Sequence, residues 1–171
     1  MERKNRESIS LSGSAKVVVK DAKTGRVTDE IYCTNVITDN GRNTIARGLV
    51  DGSLLFYAYY EYPPGDYRVG RKTPYIALGE GSGTPAPTDT ELFALVEASV
   101  KSASISYSGN TWQYFTRYMP EDANGHTYTE LGVYETGSHT SGVLINHLML
   151  PVSIEKTPDI LVDVYVTITV S

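Results

Sequence analysis

Three histidines, one cysteine and a scatter of carboxylates are the residues of this 171-residue chain with the chemistry to ligate a metal, move a proton or attack a carbonyl. His126, His139 and His147 share no short spacing that would set two imidazoles on one ion, and two of them lie in or beside Gly-rich turns, so surface or strand positions are expected. Glu121-Asp122-Ala123-Asn124-Gly125 begins like a calcium loop, but the remaining oxygen ligands and the closing glutamate are missing, and a hairpin turn explains it better. Gly79-Glu80-Gly81-Ser82-Gly83 follows a strand as a phosphate-binding loop would. No Lys-Ser or Lys-Thr comes after it, and Pro85 and Pro87 separate the glycines from any helix N-terminus whose dipole could face a phosphate.

Nucleophile signals are equally thin. Gly81-Ser82-Gly83 has the wrong spacing for a nucleophile elbow. Asp21 with Glu30, or Glu130 with Glu135, could serve as paired glycosidase acids only if the fold brought them within a few ångströms. Cys33, in the apolar stretch Ile31-Tyr32-Cys33, has no partner in the chain and reads as a small buried hydrophobe. No catalytic residue, metal or cofactor is expected, and the chain reads as a protein that is not an enzyme.

Binding surface is better represented. Thirteen tyrosines stand against three phenylalanines and one tryptophan, which suits half-buried, half-wet strand rims and interfaces. Phe56, Tyr57, Tyr59, Tyr60, Tyr62 and Tyr67, beside Pro63, Pro64 and Gly65, concentrate ring area at low side-chain entropy cost. That segment is expected to contact a second copy of the chain, its own domain, or a ligand such as a surface glycan. Arg3, Lys4 and Arg6, interleaved with Glu2 and Glu7, form a short polar arm suited to docking. A net charge of -5 argues against nucleic acid and anionic membranes as partners. No apolar run approaches the roughly 20 residues that span a bilayer, and no apolar segment behind Arg6 suggests a signal peptide.

The elements that would position these groups are mostly strands. Val17-Val18-Val19 and the stretch 26–37 flank a turn at Asp21–Gly25 as a hairpin. Thr38 or Asp39 can cap a short helix carrying Ile45, Ala46 and Leu49 on one side. Residues 54–73 lose periodicity and read as an excursion from the sheet. After Tyr75–Leu78, Thr88 and Glu91 have capping-box spacing and predict a helical turn over Leu92–Val96. Ala103, Ile105 and Tyr107 alternate with serines, turn at Ser108-Gly109-Asn110 and return through Trp112 to Met119. Strands follow at Thr127–Glu135 and Val143–Leu150. In the last one, Val162, Val164, Val166, Ile168 and Val170 face the core and Leu161, Asp163, Tyr165, Thr167 and Thr169 face mostly water. The expectation is a mainly β, antiparallel β-sandwich of about seven to eight strands with one or two short helices, in which residues 1–14 form the arm and 15–171 a single domain.

Four segments in this order carry a resemblance: Asn35-Val36-Ile37-Thr38-Asp39-Asn40-Gly41-Arg42-Asn43; Tyr75–Thr84 with Pro85-Ala86-Pro87-Thr88-Asp89-Thr90-Glu91-Leu92; Thr129-Glu130-Leu131-Gly132-Val133-Tyr134; and Pro151–Lys156 in a β-rich end. Together they resemble virion structural proteins of tailed bacteriophages, of the kind described as tail-fibre or baseplate-associated. The resemblance spans about Asn35 to Ser171 and carries no catalytic residues. It implies a homo-oligomer, commonly a trimer, bound to other virion proteins in a particle assembled in the host cytoplasm. The Tyr-rich insertion and the hairpin-rich N-terminus depart from the pattern. They leave open a capsid decoration protein on the head, and a glycan- or receptor-binding module using the Tyr-rich loop.

Overall fold

The computed structural model describes residues 10–51, 57–62, 66–71, 73–135 and 142–171, with the backbone alone from 48 to 71. In chain order the elements are β1 (Leu11–Asp21), β2 (Val27–Thr34), β3 (Val36–Ile37), α1 (Asp39–Asp51), β4 (Tyr57–Tyr62), β5 (Asp66–Arg71), β6 (Tyr75–Gly79), β7 (Lys101–Ser102), β8 (Ser104–Ser108), β9 (Thr111–Tyr118), β10 (His126–Tyr134), β11 (Leu144–Lys156) and β12 (Ile160–Val170). Two five-stranded sheets result, β2-β1-β12-β9-β8 and β3-β11-β10-β6-β7, here called A and B, and every pairing is antiparallel.

Alternation on β12 does the organising. Val162, Val164, Val166 and Ile168 have 1% exposure or less and meet Val17, Tyr114, Ile76, Leu131 and Leu148 in one core shared by both sheets. The fold is therefore the antiparallel β-sandwich expected from the sequence. It has more strands than expected, because the two-residue strands β3 and β7 and the separate β4-β5 hairpin add to the count. Among the described residues, 57–62 and 66–71 pair with each other as a two-stranded hairpin.

Thr38 caps α1 as the sequence suggests: its hydroxyl accepts the Gly41 N–H at 2.9 Å and donates to the Leu144 carbonyl at 2.5 Å. Gly41 is required because a Cβ there would lie 2.1 Å from the Ile145 carbonyl oxygen. The helix thus rests on β11, with Ile45 only 2% exposed. Pro151 is accommodated within β11 because the β10–β11 register steps between Tyr128↔Ile154 and Glu130↔Met149, a bulge where no ladder N–H is needed.

Three expectations are corrected. The helical turn predicted over Leu92–Val96 does not form. The segment instead makes a turn at Phe93–Ala94, with Leu95 bridging to Gly79 and a 3-10 turn at Glu97–Ser99, because its amides are taken by the sheet beneath: Leu92 by the Tyr134 hydroxyl, Phe93 and Ala94 by Glu130, Val96 by the Leu78 carbonyl. Four of the eight tyrosines whose side chains are described, Tyr114, Tyr118, Tyr128 and Tyr134, are core residues at 1% exposure rather than half-wet ones, while Tyr32, Tyr75, Tyr107 and Tyr165 are partly or largely exposed. Hydrogen-bond partners let hydroxyls be buried here: that of Tyr118 lies 2.8 Å from the Ser99 oxygen and 3.1 Å from the Ile76 oxygen, that of Tyr128 donates to the Ala123 oxygen at 2.7 Å, and that of Tyr134 accepts the Leu92 N–H at 3.2 Å. Asp163, assigned to the wet face of β12, is fully buried by the two cations described below.

Candidate functional site

The strongest concentration of chemistry lies on the outer face of sheet B. Glu130 on β10 and His147 on β11 point away from the core, and segment 79–100 crosses over them. Leu92 packs with Ala77, Tyr134 and Leu144 in a second apolar cluster that closes this face. His147 Nε2 is 2.8 Å from Glu130 Oε2, and its Nδ1 is 2.7 Å from Asp89 Oδ2. Glu130 also accepts the amides of Gly81 at 3.0 Å, Ala94 at 2.7 Å and Phe93 at 3.0 Å. The Phe93 ring lies over the imidazole, centroids 4.6 Å apart.

Electrostatics here are those of a locked ion network. Burial pushes the Glu130 carboxyl up, but the bonds from His147, Ala94 and Phe93 more than offset it and leave it below the usual carboxylate range. For His147, burial works against the charged ring, and the hydrogen bonds to Glu130 and Asp89 prevail, raising its pKa. Both ring nitrogens face carboxylates on opposite sides, so neither has a lone pair aimed at a shared point. Among the described residues, no three His, Cys, Asp or Glu side chains are grouped to hold a metal. The glycine-rich segment that resembles a phosphate cradle does bind an anion, and that anion is the chain's own Glu130. A Cβ on Gly79 or Gly81 would sit 2.4 Å from Glu130 Oε1, which is why those positions are glycine.

A second self-filled site occupies the calcium-like turn. Lys156, 1% exposed, aims its ammonium at the oxygens of Asn124 (Oδ1, 2.9 Å), Thr157 (3.1 Å), Ile160 (3.1 Å) and Pro120 (3.4 Å). The turn's cation is therefore a side chain from β11. Burial lowers the pKa of this amine, against the opposing pull of Asp122 and Glu121. Asp122 in turn binds Lys101 and the Met119 N–H.

On the outer face of sheet A, Asp163 accepts Lys20 at 2.7 Å and Arg117 through two nitrogens at 2.5 and 2.9 Å. Around it the face is open. Tyr32, Lys16, Tyr165, Phe115 and Ser104 are successive register partners across β2, β1, β12, β9 and β8. Lys16 Nζ sits 5.3 Å from the Tyr32 ring centroid and 2.7 Å from Glu30, and Phe115 packs on Tyr165 at 4.8 Å. A shallow groove of about 730 Å³ runs here, lined by Lys16, Val18, Glu30, Tyr32, Gln113 and Tyr165 among others.

Of the residues singled out from sequence, Arg3, Lys4, Arg6 and Phe56 lie outside the described residues, as does His139. Tyr57, Tyr59, Tyr60 and Tyr62 fall on β4 and Tyr67 on β5, and their side chains also lie outside the description. The proposed acid pairs are not built: Asp21 binds the amides of Lys23 and Thr24, Glu30 binds Lys16, and Glu130 is committed to His147. His126 pairs with Glu80 at 3.2 Å. Cys33 is partly buried against the core, and burial pushes its thiol up. Sequence reasoning missed Asp89, Lys156 and Asp163 as network members. A signal existed for Glu130 and His147, each a polar residue set in an apolar strand run. No described helix is long and apolar enough to cross a membrane. No family model, curated protein or solved structure matches the chain.

Proposed function

We propose that this chain is a non-catalytic structural subunit that works through its surfaces, docking on copies of itself and on neighbouring proteins as a peripheral component of a tailed-phage particle. One observation carries the non-catalytic part: Glu130 and His147, the acid and base best suited to chemistry, have no exposed surface and spend their bonds fastening segment 79–96 to sheet B. A general acid or base must reach its substrate, and a carboxylate with four donors already on it has no remaining task. The surfaces left open are polar and aromatic, rich in Ser, Thr and Tyr on sheet A.

Support for the particle comes from the ordered resemblance of four segments, whose residues have defined duties in this fold: Thr38 caps α1, Gly79 and Gly81 admit Glu130, and Pro151 sits in a bulge. Tail, baseplate or fibre attachment is the leading station and head decoration the second. Cryo-electron microscopy of purified particles tests the reading. Density matching paired five-stranded sheets in symmetric copies is expected, and particles lacking the chain would overturn it.

A further inference from the structure

We infer that β8 is a self-complementary docking edge, through which two copies of the chain pair antiparallel about a two-fold axis at Ser106. The inference rests on the self-association reading and gives it a location.

A sheet edge offers unpaired N–H and C=O groups to any passing strand, and folded proteins blunt such edges by shortness, charge or bulges. Three of the four edges of sheets A and B are blunted. β3 and β7 are two residues long, and β2 carries Asp29 and Glu30 opposite a register shift at Val19/Lys20. β8 has none of these devices: it is five residues long, keeps an unbroken register with β9, and lies in a stretch with no charged residue between Lys101 and Arg117.

Its free backbone groups can be assigned. Gly109, at φ +58°, makes a two-residue turn with Asn110 that closes on the pair Ser108↔Thr111. Hydrogen bonding alternates along an antiparallel pair, so Ser108, Ser106 and Ser104 turn their N–H and C=O to β9, and Ile105 and Tyr107 turn theirs outward. No described residue takes up those outward groups.

The strand reads Ser-Ile-Ser-Tyr-Ser, which is its own complement when reversed. Centred on Ser106, antiparallel pairing sets Ile105 of one copy against Tyr107 of the other. These are the two residues whose backbone groups point outward, so each donates and accepts across the axis. The same register buries Tyr107, 72% exposed in the single chain, against a branched side chain, a favourable cross-strand combination. Ser104, Ser106 and Ser108 meet serines of the other copy with no charge conflict. The two A sheets then continue as one, and the assembly is even-numbered, where the family resemblance implies trimers.

Light scattering of the full chain over a concentration series tests this, with S106K and S106E as variants. Ser106 is exposed, so neither variant should change the circular dichroism or the melting temperature of the fold. The wild type is expected to approach twice the 18.7 kDa chain mass as concentration rises. S106K and S106E, each placing like charges on the axis, should remain at the single mass, and an equimolar mixture of the two should recover the doubled mass. An association that S106K leaves intact, or a mixture that fails to re-associate, overturns β8 pairing while self-association stands. A wild type that stays at the single mass at every concentration overturns both.

Discussion

His147 bridges Glu130 and Asp89 through its two ring nitrogens, at 2.8 and 2.7 Å, with its own side chain fully excluded from solvent. Breaking a buried pair from one side leaves the other charge unsolvated. Glu130→Ala is therefore expected to cost about 3–5 kcal/mol. Hydrogen exchange would locate the damage: the amides of Gly81, Phe93 and Ala94 should exchange faster while those of β12 keep their protection. Uniform loss across the chain would contradict a local fastening role.

This network and the separate Asp163 cluster on sheet A set the pH dependence. His147 has a folded pKa above its usual 6.5, so its contribution is complete below that value and lost as pH rises through the folded pKa. Glu130 and Asp163 have folded values below their usual 4.5 and 3.8, so theirs is complete above those values and lost as pH falls through the folded ones. Melting temperature should thus decline on both sides of a mildly acidic to neutral plateau. H147Q should lie lower and lose the decline on the alkaline side, and an unchanged alkaline slope in H147Q would count against this assignment.

Lys156 should be chemically silent. Reductive methylation of the folded protein, read by mass spectrometry, should modify Lys23, whose side chain is 84% exposed, and spare Lys156. Lys156→Met keeps the stem but strands several carbonyl oxygens, at a cost of about 1–3 kcal/mol for each group left unpaired. Labelling of Lys156 at the rate of Lys23 would contradict the enclosure.

Two glycines should respond differently to alanine. At Gly109 the added methyl meets nothing within 4 Å, and only the left-handed backbone is penalised, by about 1–2 kcal/mol. At Gly81 it collides with Glu130 and Phe93 and must expel the carboxylate or the segment above it, costing about 3–5 kcal/mol. Denaturant unfolding of the two variants measures the gap, and equal losses would mean the segment yields without releasing Glu130.

Local rules made the frame legible. Val162 to Ile168 alternate because one face is core, Thr38 caps because its hydroxyl reaches Gly41, and Gly109 turns because the hairpin needs its φ; each needs only neighbours in sequence. The ion networks join distant segments: Glu130 reaches Gly81, Phe93 and His147, and Lys156 reaches Pro120 and Asn124. Nothing in Ser153-Ile154-Glu155-Lys156 distinguishes a buried ammonium from a wet one. The capping-box pattern at Thr88 and Glu91 misled for the same reason, because tertiary partners for Leu92, Phe93, Ala94 and Val96 outcompeted a local helix.

The centre of sheet A is formed by β1 and β12, paired from Leu11↔Val170 to Asp21↔Ile160. Within this sheet β1 is the earliest strand in sequence and β12 the latest, so β1 waits for β12 to be made, and β9 also lacks its inner neighbour until then. The β1-β2 and β8-β9 hairpins can form early, but the interior layer closes only once β12 is available. Folding should accordingly be slow, on the order of milliseconds to seconds, and the nascent chain should depend on protection from aggregation while its central strand is missing.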